Sequence, residues 1–211
     1  MIESWERVLV LAPHTDDGEF GCGGTMARLV DAGTDLRYVA FSIATKSLPA
    51  GFPPDTLARE VREATAVIGL PDAALTVHDF EVRAFPERRQ DILELLIQLW
   101  EEWHPDAVFM PSLRDIHQDH QVVSAEGLRA FKRTTLLGYE IPWNTFNFDQ
   151  QAYLSFESEH LERKVRALAC YASQQHRNYA NPEYIRNLAR THGLNVNRDF
   201  AEVFEVYRVV G

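Results

Sequence analysis

Apolar and polar positions along this chain fall into blocks, and the blocks change period. Residues 7–12, RVLVLA, are a short continuously apolar run, which predicts a strand covered on both faces. Residues 20–32 switch to helical spacing, with Met26, Leu29 and Val30 on one side, and Gly33 stops them. A second strand is predicted over 36–44, LRYVAFSIA. The helix predicted over 55–70 carries Leu57, Val61, Ala64, Val67 and Ile68 as one stripe and ends at Gly69. Residues 74–80 make a weaker strand, and 88–105 an amphipathic helix closed by Pro105. The pattern continues as strand 106–112, helix 119–133, strand 135–141, helices 156–173 and 181–193, and strand 200–210. Asn181 before Pro182 supplies the last helix with a cap and a suitable first residue.

This alternation predicts an α/β fold with a mainly parallel sheet and helices on both faces. No linker, repeat or low-complexity tract interrupts the 211 residues, so one domain over 1–211 is expected. Ligands of such sheets bind beyond the carboxyl ends of the strands. The polar residues gather there. The first strand runs into PHTDDGE (13–19), and the 106–112 strand runs into SLRDIHQDH (112–120). Both clusters would share one sheet edge.

A glycine-rich turn after the first strand suggests dinucleotide binding, but the residues argue against it. GEFGCGG is not G-x-G-x-x-G, no Gly-Lys-Ser/Thr follows, and the second strand lacks a terminal acid for a ribose. Two adjacent carboxylates, Asp16 and Asp17, would also repel a pyrophosphate. A metal site suits the residues better. His14 and Asp17 lie three apart on a tight turn and can face one ion. His117 and His120 have the same spacing at a helix start, so one can ligate while the other points at substrate. That arrangement leaves a carboxylate to take a proton from water. Each residue alone reads as an ordinary surface histidine or Asp-Gly turn; two clusters on one edge point to chemistry. Nitrogen and carboxylate ligands favour zinc, with iron, manganese or nickel allowed.

Composition narrows the partners. A formal net charge of −10 argues against a nucleic-acid surface. Cys22 and Cys170 form no CxxC pair, which suits a reducing compartment. The apolar run near the N-terminus is too short for a signal-peptide core, and no stretch reaches membrane-spanning length. A soluble, cytoplasmic protein is expected.

The pairing of APHTDD…GCGGT with HQDH about a hundred residues later resembles the LmbE-like, or PIG-L, deacetylase family. ALACYASQ (167–174) and the closing AEVFEVYRVV resemble it too. The resemblance implies a Rossmann-like fold, a zinc ion and hydrolysis of an N-acetyl group on a small amino-sugar substrate; it also allows a homo-oligomer. It implies His14, Asp17 and His120 as metal ligands and Asp16 as general base. His117 would polarise the amide carbonyl or protonate the leaving amine, and Asp119 would orient His117. The family's H-P-D-D-E pattern is altered here: Thr15 replaces proline, and Gly18 replaces the glutamate, with Glu19 one step later.

The stretch 139–156 is rich in aromatics and asparagines, which suit a sugar or simply cover the core. Arg59, Arg62, Arg177, Arg186 and Arg190 are candidates for a substrate phosphate or for a solvated face. His78, His104, His160, His176 and His192 read as structural or surface residues, and Cys22 as packing. The rival functions are a metal-dependent esterase or amidase on another acyl group, a two-metal phosphoester hydrolase, and a non-catalytic sugar- or nucleotide-binding module. The phosphoester hydrolase would need more bridging carboxylates than the chain offers.

Overall fold

A computed structural model describes residues 4–211. Seven strands form one sheet: β1 (Arg7–His14), β2 (Asp35–Ser42), β3 (Leu75–Val77), β4 (Ala107–Pro111), β5 (Thr135–Tyr139), β6 (Ala152–Phe156) and β7 (Phe200–Arg208). Their spatial order is β3-β2-β1-β4-β5-β7-β6. The first five in that order pair in parallel, as predicted, while β7 runs antiparallel to both β5 and β6. The six helices are α1 (Asp17–Asp31), α2 (Thr56–Ile68), α3 (Arg89–Trp103), α4 (Gln118–Ala130), α5 (Ser158–Ala169) and α6 (Pro182–Leu194).

The apolar run of β1 divides between two cores. Val8, Val10 and Ala12 pack with Met26 of α1, Val61 of α2 and Ala167 of α5. Leu9 and Leu11 pack on the other face with Ile92 and Leu96 of α3 and Val123 of α4. A strand buried on both sides must be apolar at every position, which is why 7–12 shows no alternation. The stripe predicted on 55–70 is seen in α2, where Leu57, Val61, Ala64 and Ile68 are buried.

The chain leaves β1 for β2 and β3 on one side, then returns through β4 to β5 on the other. The connections after β1 and β4 therefore diverge, and their carboxyl ends border the crevice that α/β sheets use for ligands. Both polar clusters lie there.

Three local expectations need correction. Strand β6 lies inside the 139–156 stretch and was not predicted: residues 152–155 are only half-buried and Phe156 alone is buried, so it shows no strong apolar pattern. The strand predicted over 74–80 shortens to β3, whose three residues form the sheet edge. Helix α1 starts at Asp17 rather than at 20, which puts the paired acids at its first turn, and it kinks at Cys22. Its glycines explain the early start. A Cβ on Gly18 would stand 2.4 Å from the Tyr38 ring, and one on Gly21 2.3 Å from Tyr139. The first turns of α1 lie directly on tyrosines of the sheet, closer than any side chain allows. No helix among the described residues is long and apolar enough to cross a membrane.

Candidate active site

The end of β1 delivers His14, and the first turn of α1 delivers Asp17. The loop after β4 and the start of α4 deliver His117, Asp119 and His120. Three atoms converge between these elements. His14 Nδ1 lies 3.2 Å from Asp17 Oδ2. His120 Nε2 lies 3.2 Å from the same oxygen, and 3.2 Å from His14 Nδ1. Four ligands held about 2.0 Å from a zinc ion in a tetrahedron stand about 3.3 Å apart. The triangle thus has the size of one face of such a tetrahedron. Its donor set, two imidazoles and a carboxylate, fits a divalent cation with one position left open.

The nitrogens facing away from the triangle are also fixed. His14 Nε2 is 3.0 Å from Asp119 Oδ2, and His120 Nδ1 is 2.7 Å from Asp115 Oδ2. An imidazole that donates its outer N–H to a carboxylate presents the lone pair of its inner nitrogen, the usual orientation of a metal-bound histidine. His14, His117 and His120 also each bring a ring nitrogen within a common 4.8 Å. His117 suits ligation less well, because its Nδ1 already accepts the Asp119 backbone N–H at 3.2 Å.

The charges reinforce one another. Burial alone would lower the His14 pKa, but Asp17 and Asp119 outweigh it and lift it to about 9. Burial opposes Asp17 and Asp115 in the same way at His120, which rises to about 10. Burial would raise Asp17, yet the two imidazoles pull it far below the ordinary carboxylate range. Such a centre attracts positive charge, whether protons or a metal cation. Asp16 behaves differently from its neighbour. Burial and then the Asp17 charge push its carboxyl up to about 6, against the pull of His14.

Asp119 serves His14 as well as His117. Its carboxylate bonds His14 and accepts the Arg83 backbone N–H at 2.7 Å. It stands 4.0 Å from His117 Nδ1. Its backbone N–H bonds His117 while the carboxylate charge favours the protonated ring, and the bond fixes the tautomer: with Nδ1 accepting, the ring proton of neutral His117 sits on Nε2. Burial, then the two neighbouring histidines, lower the His117 pKa, which keeps the ring neutral. Its ring lines a cavity of about 230 Å³ together with His14, Asp16, Asp17 and His120.

Sequence reasoning passed over Asp115. It is buried, holds His120, and caps the backbone N–H of His117 at 2.8 Å. An acid two residues before the first histidine of HQDH was the available signal. Glu19 also gains a position. It is buried under Tyr38 and Tyr171, whose hydroxyls lie 2.5 and 2.9 Å from its carboxyl oxygens. The same two hydroxyls reach the Thr15 carbonyl at 2.9 and 2.7 Å. Glu19 thus joins a polar cluster that grips the His14–Asp17 turn from below, and Tyr38 fills the space beside Gly18.

The far wall of the cavity is aromatic. Trp143 and Tyr179 stack with centroids 3.8 Å apart and planes 9° from parallel, and Phe20 meets both edge-on. Of the 139–156 stretch, Trp143 and Asn144 line the cavity, whereas Phe146 is exposed. His160 and Glu157 cap α5, and Trp103 is buried beneath Arg37.

A mainly parallel sheet with a histidine–aspartate cluster at its carboxyl edge defines the class: an α/β fold with its candidate active site where such sheets bind ligands. The family model described as GlcNAc-PI de-N-acetylase, PIG-L, matches residues 9–131, more than half of the chain, and the chain belongs to this deacetylase family. It is 27% identical over 173 residues to YaiS, an uncharacterised deacetylase of Escherichia coli, covering 79% of this chain and 90% of that protein. It is 26% identical over 221 residues to the diacetylchitobiose deacetylase of Thermococcus kodakarensis, covering 93% of this chain and 81% of that one. A conserved protein of Thermus thermophilus has a solved structure that matches with a TM-score of 0.78 and 26% identity, over 97% of this chain and 95% of the other.

Proposed function

We propose that this chain is a divalent-metal N-deacetylase, with zinc as the preferred ion, acting on a small amino-sugar substrate. The observation that carries this reading is the 3.2 Å triangle of His14 Nδ1, Asp17 Oδ2 and His120 Nε2. Asp119 and Asp115 fix both imidazoles from outside. A cation held there supplies an acidified water and Lewis-acid polarisation of the amide carbonyl.

The chain's own groups do the rest. Asp16 lines the cavity with a carboxyl held near pH 6, so at neutral pH it is ionised and can accept the proton of the attacking water. His117 offers Nε2–H to the carbonyl oxygen as negative charge develops on it, the role of an oxyanion donor. The new C–O bond forms, the C–N bond breaks, and the proton held by Asp16 passes to the departing amine. Acetate and a free amino sugar are the products. The Trp143–Tyr179 wall gives a sugar ring an apolar face to lie against. Two unpaired cysteines, Cys22 and Cys170, support a cytoplasmic setting.

The test is acetate release from a panel of N-acetylated sugars, using protein stripped by chelator and restored with zinc. The reading requires acetate that depends on the metal and falls about a hundredfold or more in Asp16→Ala. Acetate formed equally well after stripping would reject the metal. No acetate from any sugar, with release from acyl esters instead, would move the reaction to an esterase.

A further inference from the structure

We infer that the substrate carries a negatively charged group, a carboxylate or a phosphate, at the end remote from the acetamide, and that Arg177 holds it. This inference deepens the deacetylase reading above and rests on it for the identity of the sugar.

The argument begins with elimination among the arginines. Arg59 pairs with Asp55 at 3.1 Å and Arg62 with Asp72 at 2.5 Å. Arg186 makes two 2.7 Å bonds to Glu162. Arg190 lies over the Phe200 ring. Each has its charge or its plane occupied, and none of them lines the catalytic cavity. Arg177 does line it. Among the described residues it has no carboxylate partner, and its Nε is buried with no hydrogen-bond acceptor. The chain contains 31 acidic against 21 basic side chains, so acceptors are plentiful. Its side chain bonds that of Tyr179, which carries no compensating charge, and a cation left uncompensated in a cleft is matched by an anionic ligand.

The surroundings fit an anion. The Arg177 guanidinium carbon lies 5.6 Å from the centroid of Tyr179, whose ring stacks on Trp143. That contact holds the planar fork at the edge of the aromatic wall, where a sugar on the wall would extend its substituent. Arg83 lines the same cavity. Among the described residues its guanidinium has only a 3.4 Å contact to the Ser47 hydroxyl, which leaves a second cation available. A guanidinium matches the paired oxygens of carboxylate and phosphate alike. With a net charge of −10, the protein as a whole repels anions, so a local cation must supply the attraction.

Arg177 could instead act only on Asp16, whose carboxyl feels its charge. The two roles separate by experiment. Zinc-loaded enzyme is assayed with methyl N-acetylglucosaminide and with three charged probes: carboxymethyl N-acetylglucosaminide, N-acetylglucosamine 1-phosphate and N-acetylglucosamine 6-phosphate. We expect kcat/KM for at least one charged probe to exceed that of the neutral glycoside tenfold. The preferred probe tells carboxylate from phosphate. Arg177→Gln should cut that preference at least tenfold, Arg177→Lys should retain part of it, and Arg186→Gln should leave it intact. A charged-to-neutral ratio near one in the wild type overturns the inference. So does an Arg177→Gln variant that slows charged and neutral probes equally, the mark of an effect through Asp16 alone. If no probe releases acetate, calorimetry decides. Tighter binding of a charged probe that Arg177→Gln abolishes keeps the anion site and overturns the deacetylase reading. Equal binding of charged and neutral probes overturns the anion site.

Discussion

The two ends of the candidate active-site cavity are built on opposite plans. At one end, His14, Asp17 and His120 come from the tips of β1 and β4, and each imidazole is held on its outer side by a buried carboxylate. At the other end, Trp143, Arg177 and Tyr179 come from loops, and Arg177 keeps an unmatched N–H. On the proposed reading, the first end is completed by a cation and the second by the substrate. The difference teaches where each kind of information sits: the reaction in the sheet edge, the substrate in the loops.

The sharpest way to break the comparison is at the sheet edge. Asp16→Ala should lower kcat by about 10²–10⁴-fold, the usual worth of a general base, while metal content measured by emission spectroscopy stays at one equivalent. Asp119→Asn should weaken metal affinity or activity by about 10–100-fold, because the variant no longer pairs a carboxylate with His14 Nε2. Asp115→Asn should do the same through His120. A metal titration of either variant that overlays the wild type would separate these carboxylates from the centre.

The loop end should respond more gently. Trp143→Ala removes a stacked pair worth ~1 kcal/mol, so KM should rise by about tenfold or less with kcat little changed. A fall in kcat alone would place Trp143 in the chemistry rather than in binding.

The smallest effects concern pH. Asp16 must be ionised to act as base, so kcat/KM should rise with pH along an acid limb at or below about 6, since a bound cation lowers the Asp16 pKa further. Glu19 is raised by burial to about 8, against the hydrogen bonds from Tyr38 and Tyr171. A carboxyl raised on folding contributes stability that is full below its unfolded pKa, near 4.5, and is lost as pH climbs through about 8. Glu19→Gln keeps this position neutral. Its Tm should therefore fall less than the wild type's between pH 5 and 8. An unchanged slope would mean that Glu19 is ionised throughout.

The same contrast explains what the sequence disclosed. The strand tips were legible because their chemistry is local: His14, Asp16 and Asp17 sit within one turn, and HQDH within another. Continuous apolar runs located β1 and β4, and the rule for α/β sheets put both tips on one edge. Contacts made across the fold were not legible. Asp119 reaches His14 from 105 residues away, and no spacing within HQDH reveals that it also serves another strand. Nor did the apolar pattern show β6, whose half-buried residues lie on an edge strand. Arg177 was one of several equivalent arginines until the fold paired the others.

The central claim is that His14, Asp17 and His120 hold one divalent cation beside the base Asp16. The most direct test is zinc content and acetate release measured together on wild type, Asp16→Ala and Asp17→Asn. The account predicts one equivalent and turnover in the wild type, one equivalent with turnover lowered about a hundredfold or more in Asp16→Ala, and loss of both in Asp17→Asn. An Asp17→Asn protein that binds zinc as tightly as the wild type, or an Asp16→Ala protein that still releases acetate at the full rate, would contradict it.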